Sequence, residues 1–270
     1  MTGWREVAQR DLDRFAAVSG DDNPIHTDAG YAASTPFEVP VAHGMFLFSL
    51  VRAELRRRWP AGRMAEQRLV FPSPTHVGAK VRVLLEEGGA EGGLLAVTTR
   101  VESERGTAGL TGRCLLDLSG RDPLASAELP TSGADSQTQA GEGDCTGWWD
   151  EAVGRTHTLS RAFSEGDLAA YEELVGDHVP DRTVPEPLVA GLFSTLLGVH
   201  LPGPGTNYLK QELRFGAVPR VDEVLTATVQ VVRVVPYKRL VYLATTCAVG
   251  SGRLAAQGQA LVLAVGVEAG

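Results

Sequence analysis

The sequence predicts an α+β fold made of two copies of one unit, each a long buried helix wrapped by a curved antiparallel sheet. Three observations predict it. Residues 41 to about 58 and residues 188–199 have helical runs that open apolar on nearly every face, so both must be buried all round. Each is followed by runs rich in Val, Leu and Thr, bounded by Gly and Pro, which read as strands. The chain also repeats itself. Residues 163–171 parallel residues 10–15, Gly176-Asp177 parallels Gly20-Asp21, and Phe71 precedes Val77 by the same interval as Phe215 precedes Val221.

Taken in order, residues 11–18 read as a short helix capped by an acidic residue and ended by Ser19-Gly20. A turn-rich loop follows, and Thr27 or Asp28 can cap a further short helix over residues 29–33. Pro36 and Pro40 mark residues 34–40 as an extended connection. The first buried helix, at 1.5 Å per residue, is roughly 25 Å long, enough to cross a small domain. Its second half, residues 52–58, is charged and is expected to emerge into solvent. The arginines at 52, 56, 57, 58 and 63 are most simply that solvated helix end; a phosphate contact for a carrier is the alternative.

Strands are predicted over residues 67–71, 79–85, 94–102 and 110–118, with turns at Gly88-Gly89, Gly92-Gly93 and Arg105-Gly106. Residues 120–146 are small, polar and aperiodic and read as a mobile linker. The second set of strands is predicted over residues 208–215, 223–232, 240–249 and 255–265. The expected domains are therefore 1–119, a linker over 120–147, and 148–270.

A length of 270 residues suits one large domain or two ordinary ones, and the formal charge of -8 argues against a nucleic-acid partner. The three cysteines, Cys114, Cys145 and Cys247, form no C-x-x-C pair, so neither a disulfide framework nor a structural zinc site is expected. The first residues lack the apolar stretch of a secretory signal and no run is long enough to span a bilayer. A soluble, cytoplasmic protein is expected, without membrane association.

The chemistry is concentrated in residues 19–28. This loop brings an acid at Asp21, an amide at Asn23 and a base at His26 close together in sequence. A histidine titrates near neutrality and can move a proton either way. A nearby carboxylate can hold a water and bias the imidazole, Asn23 can orient either partner, and Pro24 stiffens the loop. Gly44 begins the first buried helix, where backbone N–H groups are unpaired and carry the positive end of the dipole. A thioester carbonyl aimed there would be polarised and an enolate stabilised. Acid, base and carbonyl clamp together point to proton chemistry beside a carbonyl. Plainer readings compete: Asp-Asn-Pro is a common turn former, Asp28 a cap, His43 a core or helix-start histidine, and Ser49 and Ser194 packed rather than nucleophilic. The second copy lacks the set. Its loop, from Asp177 to Pro187, is about half as long, Val179 falls on Asn23 and Arg182 on His26, and Pro185-Glu186 stands where the first copy has a His-Gly step.

Ser-Gly-Asp-x-Asn-Pro-Ile-His over residues 19–26, followed by His43-Gly44-Met45, resembles the signature of the MaoC-like (R)-specific enoyl-CoA hydratases, or hydratase 2. In the second copy the resemblance rests on residues 190–198, on residues 201–205 and on the strand ending at Phe215. The resemblance implies a double hot dog fold and reversible hydration of a trans-2-enoyl thioester to an (R)-3-hydroxyacyl thioester. By position it implies that Asp21 and His26 activate water and shuttle the proton, that Asn23 supports them, and that the Gly44 amide binds the carbonyl. His43, Met45 and Ser194 are the pocket candidates. Arg52 falls where single-domain members often place a small hydroxyl residue, a residue type that Ser194 keeps in the second copy. No metal and no cofactor are implied, CoA or phosphopantetheine being the carrier of the substrate, and a homodimer of double units is the assembly to test. Two rivals stand beside this reading: a thioesterase or conjugate-addition enzyme on the same fold, and a non-catalytic acyl-thioester binding subunit.

Overall fold

The computed structural model describes residues 3–119, 147–250 and 252–265. The predicted linker, with Cys145, falls outside the described residues apart from Gly147. The first half runs β1 (Arg5–Glu6), α1 (Gln9–Ser19), α2 (Pro24–Thr27), α3 (Ala29–Ala33), α4 (Gly44–Arg58), β2 (Arg63–Val70), β3 (Lys80–Glu91), β4 (Leu94–Ser103) and β5 (Ala108–Asp117). The second runs α5 (Trp148–Glu151), β6 (Thr156–Ala162), α6 (Glu165–Val175), α7 (Glu186–Thr195), β7 (Thr206–Phe215), β8 (Val224–Val235), β9 (Leu240–Val249) and β10 (Arg253–Ala264).

All ten strands form one sheet in the order β1-β3-β4-β5-β2-β7-β10-β9-β8-β6. The order is symmetric about the β2–β7 seam, where the strands pair antiparallel with Leu69 opposite Gln211. Each half wraps one apolar helix, α4 or α7, and the two helices pack against each other. This is the α+β double hot dog that the sequence predicts.

The helices are buried because their residues leave no polar face. In α4, Met45 to Arg52 are all buried, and in α7 so are residues 187–193. Burying each large apolar side chain, such as Phe46 or Phe48, contributes about 1.5–3 kcal/mol. Along the strands burial alternates, as for a sheet with one face on the core: β8 reads exposed, buried, intermediate, buried over its first four residues.

Several expectations need correction. The charged half of α4 does not simply emerge: Arg52 and Glu54 are buried, each against an opposite charge. The cap of α1 is Ala8, not an acidic residue; Asp11 instead reaches back to the Ala8 N–H from inside the first turn. Asp28 does cap α3, through the N–H groups of Gly30 and Tyr31. Residues 34–39 are turns rather than an extended segment. Gly88-Gly89 is no turn either. β3 continues to Glu91 and shifts register against β4 between Glu87 and Ala90, the irregularity that glycine permits inside a strand. The hairpin turn lies at Gly92-Gly93. The two-residue β1, the helices α2 and α5 and the edge strand β6 are elements the pattern does not announce.

Candidate active site

The loop after α1 is held from three sides. α1 ends at Gly20 in the left-handed conformation, and the Ser19 hydroxyl accepts from the Asp21 N–H at 3.2 Å. Asn23 then starts α2: its side-chain oxygen accepts from the Ile25 N–H at 3.3 Å, and Pro24 occupies the first helical position, where it has no N–H to lose. Finally His43, just before α4, donates from Nε2 to the Asp21 carbonyl oxygen at 2.9 Å.

These contacts bury Asp21 and His26 beside one another. His26 Nδ1 lies 2.7 Å from the Val41 carbonyl oxygen, which can only accept, so Nδ1 carries the proton and Nε2 of the neutral ring is the free base. Neither carboxylate oxygen of Asp21 has a hydrogen-bond partner among the described residues. Burial pushes Asp21 above the usual carboxylate range; the His26 charge, the Ser194 hydroxyl and the Asn23 N–H oppose this without reaching hydrogen-bond geometry. Burial likewise lowers His26, opposed by the Asp21 charge and the Val41 carbonyl. Burial thus raises the acid and lowers the base, so it favours the neutral form of each.

A cavity of about 160 Å³ opens beside this pair. Asp21, Asn23, His26, Gly44 and Ser194 all line it. His43 and Met45 do not, which corrects their place among the pocket candidates. One residue advances the helix by about 100°, so Gly44 and Leu47 share the cavity face of α4 while Met45 turns into the core. His43 is a core histidine: burial and the neighbouring His26 hold it well below its usual pKa, and its ring packs tilted against Phe15 at 5.0 Å and stacks on His26 at 3.7 Å. Gly44 is a glycine for a steric reason. A Cβ there would stand 2.7 Å from the Phe71 ring. As the first residue of α4 it has an N–H without an intrahelical acceptor.

Asn23 does not hydrogen-bond either catalytic candidate through its side chain. Its oxygen caps α2, and its Nδ2 lies 2.7 Å from where a Cβ on Gly198 would be. Asn23 thus fixes the helix that carries His26, and Gly198 leaves it room. The second half lines much of the cavity: Leu197, Thr206, Asn207, Tyr208 and Leu209 stand there together with Ser194. They arrive through the α4–α7 packing and the β2–β7 seam.

Asp21, His26 and His43 offer ligand atoms within 4.8 Å of one another, but the set fits a metal poorly. A shared ion lies about 2.1 Å from each nitrogen and near the plane of each ring. Two rings stacked at 3.7 Å and 28° have no such common point.

The corresponding place in the second half is filled. Asp177 follows Gly176 as Asp21 follows Gly20, Glu186 begins α7 as Gly44 begins α4, and Arg52 on α4 faces them as Ser194 on α7 faces Asp21. Arg52 pairs with Asp177 and, at 2.5 Å, with Glu186; Arg56 adds a contact to Asp177 at 3.4 Å. Burial works against the Arg52 charge, yet Glu186, Tyr171 and Asp177 together raise its pKa above the usual arginine value. His178 is exposed and pairs with Glu172. A carboxylate occupies the helix N-terminus there, and an arginine neutralises it.

Residues 2–106 match the MaoC-like domain. The chain is 36% identical to an (R)-specific enoyl-CoA hydratase of Rhodospirillum rubrum over 124 residues, 41% of this chain and 85% of that protein. It is 34% identical to a 3-hydroxybutyryl-CoA dehydratase of Methylorubrum extorquens over 127 residues, 42% of this chain and 80% of that protein. Over the whole length it resembles in fold a MaoC-like dehydratase, with a TM-score of 0.75 at 18% identity, covering 97% of this chain and 96% of the other. A Mycobacterium tuberculosis protein described as a double hot dog aligns with a TM-score of 0.68 at 13% identity, covering 96% of this chain and 94% of that one. No helix among the described residues is long and apolar enough to cross a membrane. With relatives named for adding or removing water, matched over four-fifths of their own length, the chain belongs to the MaoC-like family of hydro-lyases.

Proposed function

We propose that this protein hydrates a trans-2-enoyl thioester, carried on CoA or on the phosphopantetheine of a carrier protein, to an (R)-3-hydroxyacyl thioester, and catalyses the reverse dehydration. One observation carries the proposal: a buried Asp21 carboxyl with no hydrogen-bond partner among the described residues and the Nε2 of His26 share a cavity with the N-terminal glycine of a buried helix. The relatives' activities supply the substrate class; the (R) configuration follows the Rhodospirillum relative's name.

In the hydration direction the Gly44 N–H and the α4 dipole polarise the thioester carbonyl. His26 Nε2 takes a proton from water as the water oxygen bonds to C3. The C2–C3 π pair moves into the enolate, and protonated Asp21 delivers its proton to C2. Transfer of the proton from His26 to Asp21 restores the pair. The second half has no corresponding acid–base pair among its described residues, so each chain carries one site.

Asp21→Asn and His26→Ala should each lower kcat for crotonyl-CoA hydration by at least about 100-fold, the usual range for a positioned acid or base, with melting temperatures near that of the parent. Near-parental rates in both variants would overturn the proposal. Release of free thiol without a 3-hydroxy product would favour a thioesterase, and binding without turnover a non-catalytic subunit.

A further inference from the structure

The two halves differ at one more position that bears on the cavity. Tyr208, near the start of β7, lines it from the second half. Its ring lies 5.5 Å from that of Phe71, which in turn covers Gly44. Its hydroxyl is anchored. Gln211 is fully buried, and its Nε2 donates to the Glu212 carbonyl at 3.0 Å and to Thr245 Oγ1 at 3.1 Å. That leaves Gln211 Oε1 facing Tyr208, where it can only accept, so the phenol must donate to it. The ring is therefore tethered at both ends, by the backbone of β7 and by Gln211.

The other half repeats the framework without the tyrosine. The interval from Phe71 to Phe215, carried back from Gln211 and Tyr208, lands on Gln67 and Met64. Gln67 makes the same pair of contacts, to the Arg68 carbonyl at 2.8 Å and to Thr99 at 3.5 Å. Its Oε1 has no partner among the described residues, because Met64 offers no donor. The tyrosine–glutamine contact therefore belongs to the cavity side alone.

We infer that Tyr208 determines which acyl groups the site admits: held by Gln211 against Phe71, it forms a fixed wall that accepts short enoyl chains and excludes longer ones. The space available is consistent with this, since about 160 Å³ lies below the ~300–1,000 Å³ usual for a small-molecule pocket. A wall that cannot swing aside is what makes a small cavity selective, because the substrate cannot recruit room by turning a rotamer. The inference rests on the enoyl-thioester chemistry proposed above.

The test is the ratio of kcat/KM for trans-2-decenoyl-CoA to that for crotonyl-CoA. Tyr208→Ala should raise it by about tenfold or more, the scale on which a pocket discriminates chain length. Tyr208→Phe, which keeps the ring but loses the hydrogen bond to Gln211, should shift the ratio in the same direction by less. Met64→Ala, the corresponding change in the other half, should leave the ratio alone. If Tyr208→Ala turns over neither thioester, its relative affinity for decanoyl-CoA and butyryl-CoA, measured by calorimetry against the parent, reads the same preference. An unchanged preference in Tyr208→Ala, or an equal shift in Met64→Ala, overturns the inference. A parent protein that hydrates no enoyl thioester at all refutes the hydratase proposal instead.

Discussion

Asp21 and His26 can work as a pair only while they hold one proton between them. Adding a second removes the free Nε2, and removing the last leaves C2 without its donor. Hydration rates should therefore fall on both sides of an optimum, with two limbs that belong to the pair rather than to either residue. Asp21→Asn should abolish the two-limbed form along with most of the rate. Stability has a separate signature. The lowered pKa of His43 means that the unfolded chain takes up a proton, as pH falls through about 6.5, that the folded chain refuses. His43 thus contributes stability above that pH and loses it below, as long as the folded ring stays neutral. A His43→Asn variant should lose less melting temperature between pH 7 and pH 5.5 than the parent. At this scale the sequence is highly legible. Asp21, Asn23, His26 and Gly44 lie close along the chain in a motif whose chemistry is local. What it misstates is the role of Asn23, because a cap on α2 and an orienting contact to the acid look alike in one dimension.

At the level of elements, two helices meet the cavity with different ends. α4 presents its first residue, Gly44, and α7 its last turn, with Ser194, followed by Gly198 in the π-helical turn over Leu196–His200. Gly44→Ala drives a Cβ into the Phe71 ring, so either the ring or the helix start must move. It should lower kcat for the crotonyl thioester by about tenfold or more, the cost of a misplaced carbonyl clamp, while circular dichroism stays unchanged. Gly198→Ala presses instead on the Asn23 amide. Because Asn23 holds the helix that carries His26, the variant should lower kcat more than it raises KM. The long elements were readable from composition because burial dictates it: α4, α7 and the paired strands must be apolar on the faces they hide. The two-residue β1 and the four-residue α2 were not, since so few residues carry no periodicity.

The whole molecule is held at its centre by charge as well as by apolar contact. Arg52 lies between the halves, with Asp177 and Glu186 of the other half around it. Removing one partner of a buried cluster strands the rest, so Arg52→Ala should cost about 3 kcal/mol in denaturant unfolding. The triple variant Arg52→Leu, Asp177→Asn, Glu186→Gln should recover most of that, because it removes the stranded charge. Failure of the triple variant to recover would show that the arginine contributes mainly by packing. Nothing near Arg52 in sequence announces this burial. Its partners stand 125 and 134 residues away, and without them the residue reads as the solvated end of a helix.

The continuous chain gives the seam a further meaning. Were the two halves identical subunits, every substitution would appear twice: an arginine on one central helix would also replace the serine that faces Asp21, and a tyrosine in one cavity would stand in both. Joined as one polypeptide, the halves are free to diverge. Ser194 can stay small because Arg52 need not, and Gly44 can stay bare while Glu186 fills its twin. On the proposed function, fusion converts a symmetric pair into a division of labour, in which one half keeps the reaction and the other is released to shape it.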